Sequence, residues 1–354
     1  MSDATALTAE LLDWLLGLAF GRFDIRQATH ARQPAAEPEP FDPLPATAPG
    51  MLADEDAHQL RNNADADPLA VAWDGILVDD PSHPRDLDRP IQQALALIFG
   101  DGADAIQQQA CDILGVTSLR DYFRRPAAFF ADHLKRYSKS RRQAPIYWPL
   151  STPSGSYTLW LYYHRLTPQT LYTCVNDFLD GPQGKLAQVR DSRAALANKA
   201  TRTPKEEKDF ASLTDLDAEL TAFRDHLLRI AADWQPNLND GVQITAAPLW
   251  PLFKLPKWQK TLKDTWAKLE KGDYDWAHLA RSYWPERVLR NCHQDRSLAI
   301  AHGVEQDFWE EVEVTEKPKG KGRGKAKGGA KLAWRPKPQS DAELAQLIQR
   351  LING

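Results

Sequence analysis

Apolar residues recur at helical spacing over residues 1–27, where Leu7, Leu11, Leu12, Leu15, Leu18 and Ala19 share one side of a helix. Thr5 or Thr8 can cap it. Gly17 and Gly21 lower its helix propensity and permit another segment to approach closely. Six prolines between residues 33 and 50 exclude a central strand or a helix. That stretch reads as an extended connector, with Phe41 and Leu44 available to anchor it. Residues 54–90 read as polar turns and short pieces, punctuated by Asp80-Pro81 and His83-Pro84. Pro90 suits the first turn of a helix that reaches Ile98 or Phe99. A second helix spans about Ala103 to Leu114. A third starts after Ser118, whose hydroxyl can cap it, with Asp121 favouring the same end. Pro126 interrupts it, and a further helix runs from Ala127 to about Tyr137.

The pattern changes to strand between residues 145 and 164. Ile146, Tyr147 and Trp148 precede a Ser/Thr/Pro/Gly turn. Tyr157, Leu159, Leu161 and Tyr163 then alternate with Thr158, Trp160, Tyr162 and His164, which predicts a hairpin. Both faces of its second strand carry bulk. One face packs on a core, and the other must meet a helix, a partner or nucleic acid. Thr167 caps a helix near Pro168 that carries Leu171, Val175 and Phe178. Residues 185–231 read as two long helices joined near Thr201–Pro204. In the second, Leu213, Leu216, Leu220, Phe223, Leu227 and Ile230 form a heptad seam, so the region reads as an antiparallel helical hairpin or short coiled coil.

These elements predict an α+β fold, a mostly helical multidomain chain. It contains an aromatic β-hairpin region and a long antiparallel helical hairpin. The expected divisions begin with an N-terminal region, 1–118, whose Pro-rich connector is 33–50. A basic helix and aromatic hairpin follow over 119–184, and the helical hairpin occupies 185–236. Residues 237–316 form a unit rich in tryptophan: Trp250, Trp258, Trp266, Trp276, Trp284 and Trp309. The segment 317–339 is a basic disordered linker with nine Lys/Arg between 317 and 337 and many glycines. A short helix ends the chain over 340–354.

Charge sharpens this division. The net charge of −4 conceals 6 Lys/Arg against 20 Asp/Glu in residues 1–118, a balance of −14 that leaves +10 for the remainder. Such polarity permits a basic face aimed at a polyanion, and equally a solvated surface of uneven composition. The 354 residues, 42% hydrophobic, suffice for two cored regions. The apolar stretch around Leu11–Phe20 is too short and too interrupted to span a membrane. The acidic N-terminus argues against a signal peptide, and three scattered cysteines suit a reduced, cytoplasmic setting.

Motifs for catalysis are missing from the sequence. It has no Asn/Asp-Pro-Pro-aromatic loop, no phosphate loop and no strand–turn–serine elbow. The histidines lack metal-ligand spacing. Glu206-Glu207-Lys208 offers the acid-acid-Lys fragment of a metal nuclease, but on a charged helix. No catalytic residue, cofactor or metal ligand is therefore assigned. The strongest functional patch is 120–142, with Arg120, Arg124, Arg125, Lys135, Arg136, Lys139, Arg141 and Arg142 against Asp121 and Asp132, a balance of +6. Cations beside aromatic rings suit a nucleic-acid backbone. Tyr147, Trp160 and Tyr162 can stack on bases or fill a core. His164 and Arg165 can reach a phosphate or base, or simply end the strand.

Long phrases carry a resemblance. RDYFRRPAAFFADHLKRYSKSRRQAPIYWPL (119–150 region), SGSYTLWLYYHRLTPQTLYTCVNDFL, WQPNLNDGVQITAAPLWPLF and WPERV…DRSLAIAHG resemble the C-terminal target-recognition and spacer region of Pgl/BREX-like and related type II adenine-specific DNA methyltransferases of bacteriophage defence. The likeness spans nearly the whole chain, most clearly 119–310. In that family a front domain carries the methyl-donor cofactor and the Asn-Pro-Pro-aromatic loop, and the region behind it recognises DNA. This sequence matches the back part and lacks the front. The resemblance thus implies a non-catalytic DNA-recognition or accessory subunit that binds double-stranded DNA. The catalytic methyltransferase subunit would be supplied by another chain. A protein–protein scaffold in a defence complex and a divergent metal-dependent nuclease are the alternatives.

Overall fold

The structure, a computed structural model, describes residues 3–34, 38–39, 41, 43, 45–63, 68–139, 142–271, 281, 283–315 and 330–353, the side chains at 3, 314, 315, 330 and 331 excepted. The fold is α+β and mostly helical, as the sequence predicts. It divides into two compact units, Met1–Asp264 and Thr265–Gly354.

In the first unit α1 (Asp3–Ala19) ends before Gly21, whose φ of +65° turns the chain. The single helix expected over 1–27 is therefore split, and α2 (Ile25–Ala28) follows with Asp24 as its cap. Gly17 performs the close approach expected of it, since a Cβ there would lie 2.4 Å from the Phe23 ring and 2.8 Å from the Tyr147 hydroxyl. The described residues of 33–50 contain neither helix nor strand. Phe41 is fully exposed and anchors nothing, while Leu44 lies outside the described residues. Next come α3 (Asp54–Asn62), β1 (Ile76–Val78), α4 (Asp88–Phe99) and α5 (Ala103–Leu114), with α1 packed on α4 and α5. Ser118 caps α6 (Leu119–Arg124) by accepting from the Asp121 amide. A π-helical turn from Pro126 leads into α7 (Ala131–Arg136).

After a small ribbon, β2 (Ser138–Lys139) and β3 (Arg142–Gln143), the aromatic hairpin forms from β4 (Tyr147–Ser151) and β5 (Thr158–Tyr162). β1 adds to it on the other edge, giving the antiparallel order β1-β5-β4. β5 is thus central, and all five of its residues are buried. Its second face meets the protein itself: Trp160 packs edge-on to Phe123 and Phe129, while Tyr162 stacks with Phe20 at 5.5 Å. α8 (Thr170–Thr173) and a π-helical turn bury Leu171, Val175 and Phe178.

α9 (Lys185–Ala197) and α10 (Pro204–Ala231) form the predicted helical hairpin, with Thr203 and Glu206 making a reciprocal cap. Lys199 pairs with Glu206 near the joint, and Arg190 with Asp217 farther out, which fixes the antiparallel sense. α11 (Val242–Ala246) follows the turn at Gly241, whose φ is +88°. Trp250 and Trp258 lie before residue 265 and so belong to this unit, not to a separate Trp-rich one beginning at 237. α12 (Pro256–Lys271) crosses the division.

The second unit has α13 (Pro285–Gln294), α14 (Arg296–Ala301), α15 (Glu305–Phe308), the ribbon β6 (Trp309–Thr315) with β7 (Ala330–Pro336), and α16 (Asp341–Asn353). Val288, Leu289, Cys292, Phe308 and Ile348 form its core. β7 corrects the reading of 317–339 as one linker, because Ala330–Pro336 pairs along the whole of β6. The lysines and arginine between 317 and 327 lie outside the described residues, as does Trp276.

Candidate nucleic-acid interface

Asp79, Asp80 and Asp86 follow β1 and are buried. Isolated carboxylates would be costly there, and each has a cation. Arg120 donates through Nη1 to Asp79 at 2.5 Å and to Asp86 at 2.8 Å, and through Nη2 to Asp86 at 2.6 Å. Arg124 also donates to Asp79, at 3.1 Å through Nη2. Lys185 lies 2.9 Å from Asp80. Burial opposes the Asp80 charge, but Lys185 and the Ser82 hydroxyl prevail and hold its pKa below the ordinary value. Arg120, hydrogen-bonded to Asp86, is held above the usual arginine range. Burial instead raises the pKa of nearby Asp88.

A second internal pairing surrounds His133, which is fully buried. Its Nε2 accepts from the amides of Ile146 and Tyr147 at 2.9 and 3.1 Å. That nitrogen must carry a lone pair, so the ring is neutral and its Nδ1–H donates to Asp13 at 2.5 Å. Burial keeps its pKa below the ordinary value of 6.5. Arg136 reaches the same Asp13 at 3.3 Å.

The predicted patch is thus divided. Arg120, Arg124 and Arg136 are held by acids of the N-terminal region, a use that sequence spacing does not reveal. Tyr147, Trp160 and Tyr162 are 0%, 1% and 5% exposed, which corrects the reading of them as stacking platforms. They are core. The exposed residues of the patch are Arg124, Arg125, Lys135, Arg136, Lys139 and Arg142, Arg124 and Arg136 keeping solvent contact while paired with their acids, and Arg141 lies outside the described residues. In the β2–β3 ribbon Lys139 stands directly opposite Arg142. His164 and Arg165 are separate from this ribbon in sequence and line a cavity with Trp73, described below.

The fragment proposed for a nuclease is structural: Glu206 caps α10 and meets Lys199, while Glu207 pairs with Arg202. Among the described residues, no cluster of three or more His, Cys, Asp or Glu could hold a metal ion. Cys111, Cys174 and Cys292 are buried free thiols, and burial pushes that of Cys292 up to about 11. No helix among the described residues is long and apolar enough to cross a membrane. Compared with known protein families and with curated proteins, the chain matches none.

Proposed function

We propose that this chain is a non-catalytic DNA-recognition or accessory subunit of an adenine-specific DNA methyltransferase assembly in cytoplasmic phage defence or restriction-modification. Another polypeptide supplies the methyl donor site and the chemistry. The supporting observation is the opposed pair Lys139 and Arg142. A phosphate backbone lying against these two exposed cations releases counterions. Exposed Lys135 and Arg125 extend the same stretch of chain. The assignment to a methyltransferase assembly rests on the sequence resemblance alone.

Fluorescence anisotropy with a labelled duplex over a range of NaCl concentrations tests this reading. Binding weakens as salt rises. K139E/R142E lowers affinity roughly tenfold or more and reduces the log–log salt slope by about 2, near 0.9 per lost contact. A scaffold that does not touch DNA gives no salt-dependent binding. Methyl transfer from S-adenosylmethionine by the purified chain alone would refute the division of labour.

A further inference from the structure

A cavity of about 340 Å³ opens at the end of the sheet where Ile76 begins β1 and the chain leaves β5 through His164 and Arg165. Its volume falls within the range of small-ligand pockets. Two guanidinium groups line it, Arg61 from the last turn of α3 and Arg165. Among the described residues neither joins an ion pair. Arg61 lies 5.5 Å from the centroid of the Trp73 ring, and this stacking restrains it. Gly75, with φ +76°, makes room for Arg165, because a Cβ there would sit 2.6 Å from the arginine Cβ. Thr167, Thr170 and Thr173 add hydroxyls to the lining. The acid in the wall, Asp74, is engaged by Arg85.

We propose that this cavity binds a nucleotide unit, with the phosphate on Arg61, Arg165 and a threonine hydroxyl and the base along the Trp73 wall. Guanidinium forks match phosphate oxygens two at a time, and a half-buried setting strengthens such bonds. The Thr173 hydroxyl donates to the Gln169 carbonyl and those of Thr167 and Thr170 bond each other, so one proton of that pair is left to donate to a remaining oxygen. The indole supplies the apolar surface that a bare anion site lacks. The site uses none of the residues of the Lys139–Arg142 ribbon, so it goes beyond duplex contact and does not depend on it. A free nucleotide and a nucleotide of a single strand present the same chemistry.

His164 reports occupancy. Burial, and then the charges of Arg22 and Arg165, hold its pKa below the ordinary 6.5. A bound dianion offsets those charges and raises it. The test is NMR titration of the His164 ring in the full chain with inorganic phosphate, AMP and a short single-stranded oligodeoxynucleotide. Saturable AMP binding, stronger than that of phosphate, accompanied by an upward shift of the His164 titration, is expected. R165Q and R61Q each weaken it about tenfold while the remaining ring signals stay in place. Binding of the strand without AMP, equally sensitive to R165Q, assigns the site to a polymer. No saturable shift with any probe, or shifts unchanged in both variants, overturns the proposal. Duplex anisotropy on R165Q runs alongside, because Lys139 and Arg142 are intact in that variant. Failure of the cavity and failure of the duplex reading are therefore separate results.

Discussion

The fate of His133 shows how a single residue reads differently in sequence and in structure. As a lone histidine in a basic stretch it carries no obvious role. Folded, it bridges Asp13 on α1 to the start of β4 through three hydrogen bonds. The sign of its pH effect follows from its neutrality. Its folded pKa lies below 6.5, so below that pH the unfolded chain binds a proton that the folded chain refuses. The stabilisation is complete above 6.5 and is lost as the pH falls from there to the depressed folded value. Asp13, Arg136 and Arg22 face the ring and are unchanged by its substitution. Thermal melts should therefore show stability falling as the pH drops through 6.5 towards 5. H133Q should be less stable throughout, by roughly 1–3 kcal/mol for the disrupted buried hydrogen bonds, and should have a shallower pH slope. His83, His164 and His226, also depressed by burial, preserve part of the slope. An undiminished slope in H133Q would contradict the neutral assignment.

At the scale of elements, local signals were legible wherever they were self-contained. Ser118 capping α6, the bounds of α5 and the β4–β5 hairpin need only neighbouring residues. β1 carries no such local signal, because Ile76-Leu77-Val78 is only three residues long and acquires strand geometry from pairing with β5, more than 80 positions later. That pairing decides the site as well, since it makes β5 central and turns Trp160 and Tyr162 into core. The heptad seam of α10 was visible, but periodicity does not say how deeply each position packs. Leu220, Phe223 and Leu227 are buried, whereas Leu213 is half-buried. Truncation should expose the difference. L220A should cost about 2–5 kcal/mol in urea unfolding, and L213A clearly less, because it removes fewer contacts. Equal losses would mean that the hairpin is packed uniformly along its seam.

For the whole molecule, the sequence shows a charge imbalance between its parts but not where the opposite charges meet. Asp13 with Arg136, Asp79 and Asp86 with Arg120, and Asp80 with Lys185 each join the acidic region to the basic one. Much of the polarity that suggested an external polyanion is therefore neutralised inside the first unit. Within 120–142, Arg125, Lys135, Lys139 and Arg142 face outward, with Arg124 and Arg136 partly exposed beside their acids. These two populations of charge respond differently to salt. Exposed charges are screened within a Debye length, whereas buried pairs are screened much less. Raising NaCl should therefore abolish duplex binding while changing the melting temperature little. Differential scanning fluorimetry and anisotropy on the same samples make the comparison. A melting temperature that fell in step with affinity would place the Asp79–Arg120 cluster in solvent and return those arginines to the outward-facing patch.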